Sequence, residues 1–253
     1  ARNIPVIEDA AHSLGTLWGG RKIGTIGKVG CFSFQSYKLV NAGEGGIMVT
    51  DDADLVAQAV IMSGAYEHNW AKHMAGDDAA LESAFARWQN KLPLYNLRLS
   101  NLSAAIIRPQ LAEVPRRVRD GRANHDYMAE RLNTSPFLHV PPKLAKEDRA
   151  PDSIQFNLVG LSDDEARTFA EAAAAHGVKV QIFGQSTDNA RAFWNWQFIP
   201  GPAQELPRTR AMLMQACDCR LPARLTRDEL DFIANALLDA AQDAAGALRA
   251  YGT

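Results

Sequence analysis

Asp9, Ser33 and Lys38 bring a carboxylate, a hydroxyl and an amine into the N-terminal part of the chain. Asp9 follows the apolar run Ile4-Pro5-Val6-Ile7 and is flanked by Ala10 and Ala11. Ligands gather at the carboxyl ends of strands in open α/β sheets, where a carboxylate can hold a cationic group. Taken alone, Asp9 reads as a solvated strand-end acid or a helix N-cap. Lys38 leaves an apolar stretch through Gln35-Ser36-Tyr37 and precedes the turn Gly43-Glu44-Gly45-Gly46. A lysine at a strand exit beside glycines can approach a planar ligand, and burial would lower its pKa from about 10.4 and make it nucleophilic. Alone, it reads as an ordinary surface lysine. In an unbroken strand the odd separation of Ser33 from Lys38 puts them on opposite faces. They serve one site only if the chain turns near Ser36-Tyr37.

The elements that must position these groups alternate between strand and helix, which implies α/β layers. Residues 4–7 read as a buried strand ending at Glu8-Asp9. The glycine-rich stretch 15–30 is turn and hairpin chemistry. Strands are expected over 29–35 and 47–50, then a helix over 52–63. Residues 64–95 read as a long excursion with a helical piece. Ser100 can cap a helix running to Leu111, with Pro109 as a kink. A second, basic helix is expected over 114–132. Asn133-Thr134-Ser135-Pro136 and Pro141-Pro142 mark a break, and the domain boundary is placed there, giving domains 1–135 and 136–253. Further on, strands are expected at 154–161 and 178–183. Capping boxes at Ser162/Glu165 and Thr226/Glu229 open two helices, and Gly177 stops the first.

Composition narrows the function. Net charge is −2 and the pI about 6.3, which argues against a strongly basic nucleic-acid binder. The arginines at 116, 117, 119 and 122 alternate with Glu113 and Asp120, as on a solvated helix face. No apolar run approaches the roughly 18 residues that span a bilayer, and no charged-then-apolar leader opens the sequence. The expected compartment is the cytoplasm, with no membrane partner. Cys31, Cys217 and Cys219 are too few and wrongly spaced for a disulfide framework or a zinc ribbon, and the histidines do not cluster, so no metal is expected. The glycines at 24, 27 and 30 form GxxGxxG rather than a dinucleotide GxGxxG, and no GxxxxGK[ST] occurs. The run Phe193-Trp194-Asn195-Trp196-Gln197-Phe198 reads as core packing or loop anchoring, with pocket lining as the alternative.

Read in order, IEDAAHSLG (7–15), GTIGKVGCFSFQSYK (24–38), GEGGIMVTDD (43–52) and YNLRLSNLSAA (95–105) resemble the DegT/DnrJ/EryC1/StrS family of pyridoxal phosphate-dependent sugar aminotransferases. The resemblance is strong over roughly the first 130 residues and looser beyond. It implies an α/β chain of the type I aminotransferase fold, with an incomplete large domain built on a mixed or parallel sheet and a smaller C-terminal α/β domain. It implies pyridoxal 5′-phosphate as cofactor. Asp9 matches the acid that keeps the pyridinium nitrogen protonated. His12 matches a residue near the ring hydroxyl, Ser33 the hydroxyl that holds the phosphate, and Lys38 the lysine of the internal aldimine. Asn96 matches a residue that reaches the phosphate from a neighbouring subunit, which implies a homodimer with shared sites.

The implied reaction is ping-pong transfer of an amino group from glutamate or glutamine to a keto-sugar, nucleotide-linked in the usual case. Relatives with histidine in place of the lysine are dehydratases, so Lys38 favours transamination. Other chemistry of the same cofactor on a sugar or a non-sugar ketone, and a non-catalytic fragment or regulatory module, stand as alternatives. Two departures accompany the resemblance. Family chains begin well upstream of the IEDAAH strand, so the sequence reads as the C-terminal portion of a longer protein and lacks part of the phosphate cradle and a ring-stacking residue. After Gly177-Val178 many members have a His-Tyr segment near the substrate, where this chain has Val180-Gln181-Ile182-Phe183-Gly184.

Overall fold

A computed structural model describes residues 2–65, 78–187, 191–202 and 204–247. The chain forms two compact units. Unit 1 comprises residues 1–115 and 145–149, and unit 2 residues 116–144 and 150–253. The division falls inside a continuous helix, whereas composition placed it at 135. A Pro-rich break marks where a helix ends, and says little about which core each of its halves packs on.

Unit 1 is built on a three-stranded sheet ordered β1 (Ile7–Asp9), β4 (Val29–Ser33), β5 (Gly46–Val49). β1 runs parallel to β4, and β5 antiparallel to it. The glycine-rich stretch forms the hairpin β2 (Leu17–Trp18) and β3 (Arg21–Lys22), to which β7 (Glu147–Asp148) adds a third strand. The strand expected at 4–7 starts later, and its apolar residues are open, Ile7 being 72% exposed. Among the described residues β1 pairs with β4 alone.

Asp52 caps α1 (Ala53–Met62) by accepting from the Leu55 backbone N–H at 3.0 Å. The helical piece expected within 64–95 is α2 (Ala79–Trp88), and residues 66–77 lie outside the described residues. Asp54 ties the two helices by accepting from Arg87 and from the Trp88 indole, both at 2.8 Å.

The two helices expected over 100–132 are one, α3 (Asn101–Leu132), with Pro109 and Pro115 inside it. Each proline removes one backbone donor. Within unit 1 Ile107 packs with Phe34 and Val40, and within unit 2 Met128 and Leu132 join the main core. Ser100 caps its start as expected, accepting from the Ser103 N–H at 3.0 Å. The basic stretch is a charged face in which Asp120 pairs with Arg116 at 3.3 Å and with Arg119 at 3.1 Å.

Unit 2 holds the larger core. Its four-stranded sheet is ordered β6 (Leu138–His139), β8 (Ser153–Leu158), β10 (Ala216–Arg220), β9 (Val180–Ile182), all antiparallel neighbours. The helices α4 (Asp163–Ala175) and α6 (Arg227–Ala247) pack on it, and α5 (Pro207–Gln215) leads into β10. Both expected capping boxes are present at the starts of α4 and α6. β10, an inner strand of this sheet, was not anticipated. Its cysteines alternate inward and are nearly inaccessible, and burial, with Asp218 beside it, pushes the Cys219 thiol up to about 12.

Candidate active site

The parallel pair β1–β4 sets the site. Its register places Asp9 opposite Cys31 and Glu8 opposite Gly30. Opposed residues share a face and successive ones alternate, so Asp9, Cys31 and Ser33 lie on one face, and Glu8, Gly30 and Phe32 on the other. Beyond Asp9 the chain turns at once. The Ala10 N–H donates to the Cys31 carbonyl at 2.8 Å and the Ser13 N–H to the Ala10 carbonyl at 2.9 Å, and this turn carries His12.

β4 ends at Ser33, and residues 34–45 form a closed loop. The Phe34 N–H donates to the Gly45 carbonyl at 2.8 Å, Ser36 to Gly43 at 2.9 Å, Ala42 to Phe34 at 2.9 Å and Lys38 to Gln35 at 2.9 Å. The turn that the Ser33–Lys38 spacing demanded is therefore present. Phe34 and Val40 anchor the loop against Ile107 of α3. Gln110 adds two bonds to the Asn41 backbone, donating to its carbonyl at 2.7 Å and accepting from its N–H at 3.3 Å. The Asn41 amide in turn donates to the Lys38 carbonyl at 3.2 Å.

These constraints bring the Lys38 amine within 2.5 Å of His12 Nε2. An ammonium can only donate, so with Lys38 protonated the imidazole accepts at Nε2 and carries its own proton at Nδ1. Lys38 is half-buried and His12 exposed. Asp9 is exposed at its strand end and accepts from the Ala11 N–H at 3.2 Å. Ser33 Oγ accepts from the Gln35 N–H at 3.2 Å, which leaves its hydroxyl proton to donate elsewhere. Asn96 stands apart. It lies on an exposed segment held to the end of α1 by the Tyr95 N–H on the Met62 carbonyl at 2.9 Å and the Leu97 N–H on the Ser63 carbonyl at 3.0 Å. No hydrogen bond joins it to the other four among the described residues.

Sequence reasoning passed over Glu8. Its carboxylate accepts three backbone N–H groups, from Gly27 at 2.5 Å, Ile26 at 2.6 Å and Gly24 at 2.8 Å. The loop comes this close because the strand carries glycine opposite Glu8. A Cβ on Gly30 would stand 2.0 Å from the Gly24 carbonyl oxygen, and Gly24 itself sits at φ +87°, a conformation that side chains resist. A charged residue inside an apolar strand, followed by closely spaced glycines, is the signal that was available. Burial alone would raise the Glu8 pKa. The backbone donors of Gly27, Gly24 and Ile26, with Arg21, outweigh it and hold the carboxyl below the ordinary glutamate range. A carboxylate with a depressed folded pKa stabilises the fold above its unfolded value and loses that contribution as pH falls through the folded one. Between about pH 5 and pH 3 the wild type is thus expected to lose more stability than Glu8→Gln. Urea midpoints across that window check this, and parallel curves for the two proteins would contradict it.

A family model described as the DegT/DnrJ/EryC1/StrS aminotransferase family matches residues 1–238. The chain belongs to this family. Among its relatives, 3-amino-5-hydroxybenzoate synthase of Amycolatopsis mediterranei is 35% identical over 224 residues, which are 85% of this chain and 53% of that protein. The chain therefore spans about half the length of that curated relative. The crystal structure of the aminotransferase TlmJ from Streptoalloteichus hindustanus superposes with a TM-score of 0.73 at 20% identity, over 94% of this chain and 59% of that one. The Escherichia coli GDP-4-keto-6-deoxy-D-mannose-3-dehydratase, solved with bound hydrated pyridoxal phosphate, gives 0.70 at 21%, over 94% and 61%. The fold of this family member is accordingly that of the type I pyridoxal phosphate-dependent aminotransferases. Pyridoxal 5′-phosphate is the family's cofactor.

Proposed function

We propose that the chain carries the lysine-bearing part of a site that moves an amino group from glutamate or glutamine to a keto-sugar, nucleotide-linked, with the cytoplasm as its compartment. The observation that carries this reading is the Lys38 amine held against His12 Nε2 at 2.5 Å, at the end of the strand pair that also presents Asp9 and Ser33.

The donor set fits pyridoxal phosphate. An amine suits its aldehyde carbon, a carboxylate its ring nitrogen, a hydroxyl donor its phosphate and an imidazole its ring hydroxyl. When bound, the cofactor supplies a conjugated sink for the electron pair left when a proton leaves the substrate carbon. Asp9 holds the proton on the ring nitrogen. Ser33 donates to the phosphate, and Asn96 is assigned to the phosphate of a neighbouring copy in a homodimer. Lys38 carries a proton between the donor's α-carbon and the cofactor's C4′ carbon, as a positioned general base and acid. His12 keeps the Lys38 amine oriented towards the ring. Lysine at position 38, where family dehydratases have histidine, favours amino transfer over dehydration.

The test is spectroscopic. Pyridoxal phosphate added to the folded protein is expected to give a visible absorbance band that sodium borohydride fixes onto Lys38, and glutamate is expected to bleach it. A folded protein that gives no band and no Lys38 adduct would overturn the reading.

A further inference from the structure

Glu8 lies on the far side of β1 from Asp9, outside the constellation assigned to the cofactor. We infer that Glu8 is a positioning residue, which sets where the Asp9 carboxylate stands by clamping the 24–27 loop onto the back of the β1–β4 pair. The inference rests on the proposed cofactor site.

Glu8 Oε1 takes the N–H groups of Ile26 and Gly27, and Oε2 that of Gly24. The next residue, Lys28, donates through its backbone N–H to the Val6 carbonyl at 2.8 Å, so the end of the loop is also fastened to the chain just ahead of β1. The loop backbone rests on Gly30, directly across from Glu8, and on the Phe32 ring, which lies within 2.3 Å of where a Gly24 Cβ would be. The Asp9 carboxylate, by contrast, accepts from the Ala11 N–H, a bond that orients the side chain and not the strand beneath it. The lateral place of Asp9 follows from where β1 lies on β4, and the Glu8 clamp closes that pair from behind. Replacing one carboxylate oxygen by an amide puts an N–H₂ against backbone donors, so Glu8→Gln repels the loop that the native residue gathers.

The measurement is made on the protein titrated with pyridoxal phosphate, comparing wild type, Glu8→Gln, Gly27→Ala and Asp54→Ala. In Gly27→Ala the new Cβ meets the Val6 carbonyl oxygen at 2.5 Å and lifts the same loop with Glu8 intact. Asp54→Ala loosens α1 from α2, away from the strands, and controls for lost stability. Glu8→Gln and Gly27→Ala are each expected to weaken cofactor binding by about tenfold. They are also expected to raise the pH midpoint of the bound cofactor's visible band. A ring nitrogen without its proton withdraws less charge, so the Lys38-linked nitrogen keeps its own proton to higher pH. Asp54→Ala is expected to leave affinity and midpoint unchanged. A Glu8→Gln protein with wild-type affinity and midpoint overturns the inference, as does one whose change is matched by Asp54→Ala. If Glu8→Gln does not fold, the Gly27→Ala midpoint decides in the same way. A wild type that gives no band fails at the earlier step, and the cofactor reading falls with the inference.

Discussion

Lys38→Ala is expected to lower amino-group turnover by roughly four orders of magnitude or more, because in the proposed site one side chain supplies both the attachment point and the proton carrier. Steady-state transfer from glutamate, followed by appearance of 2-oxoglutarate, measures it. Lys38→Arg separates charge from chemistry. It keeps a cation beside His12, but a guanidinium does not deprotonate and is no nucleophile, so it is expected to be as inactive as alanine. Neither change threatens the fold. The backbone of Lys38 is held by Gln35 and Asn41, and its side chain is half-buried on the unit's surface, so urea midpoints are expected to stay within about 0.5 kcal/mol of wild type. A folded Lys38→Ala protein with full turnover would sink the assignment of Lys38, and one that retains transfer while losing only affinity would reduce Lys38 to a binding group.

What the sequence revealed about this fold and site depended on the range of the interaction. The capping boxes at Ser162 and Thr226 were legible because both partners lie within one turn. Lys38 and Ser33 were legible as a conditional pair, and the required turn proved local as well, closed by Gln35 and Gly43. β10 was not legible. Ala-Cys-Asp-Cys-Arg has no β-branched residue, and it becomes an inner strand through pairing with β8 and β9, remote in sequence. The single helix α3 reads as two in the sequence because proline is a strong local breaking signal. Glu8 escaped because its partners are backbone groups 16 to 19 residues away. The aromatic run at 193–198 divides. Trp194 packs edge-on against Phe193 and under Arg210, while Phe198 is 70% exposed.

The largest loss of stability is expected from Phe156→Ala, at about 3–5 kcal/mol. Phe156 is 2% exposed on β8, directly across from buried Cys217 of β10. Its ring meets that of Phe169 on α4 edge-on, with centroids 6.0 Å apart at 84°. It thus joins the sheet to the helix layer at the centre of the unit 2 core, where flanking side chains cannot collapse into the void without shifting α4. Cys217, the residue across from it, has a side chain too short to fill the space. The urea midpoint followed by far-UV circular dichroism measures the loss, and an unchanged slope would attribute it to the native packing. Phe198→Ala removes the same side chain from an open position and is expected to stay within about 0.5 kcal/mol of wild type. Equal effects at the two positions would mean that Phe156 does not hold the sheet to α4.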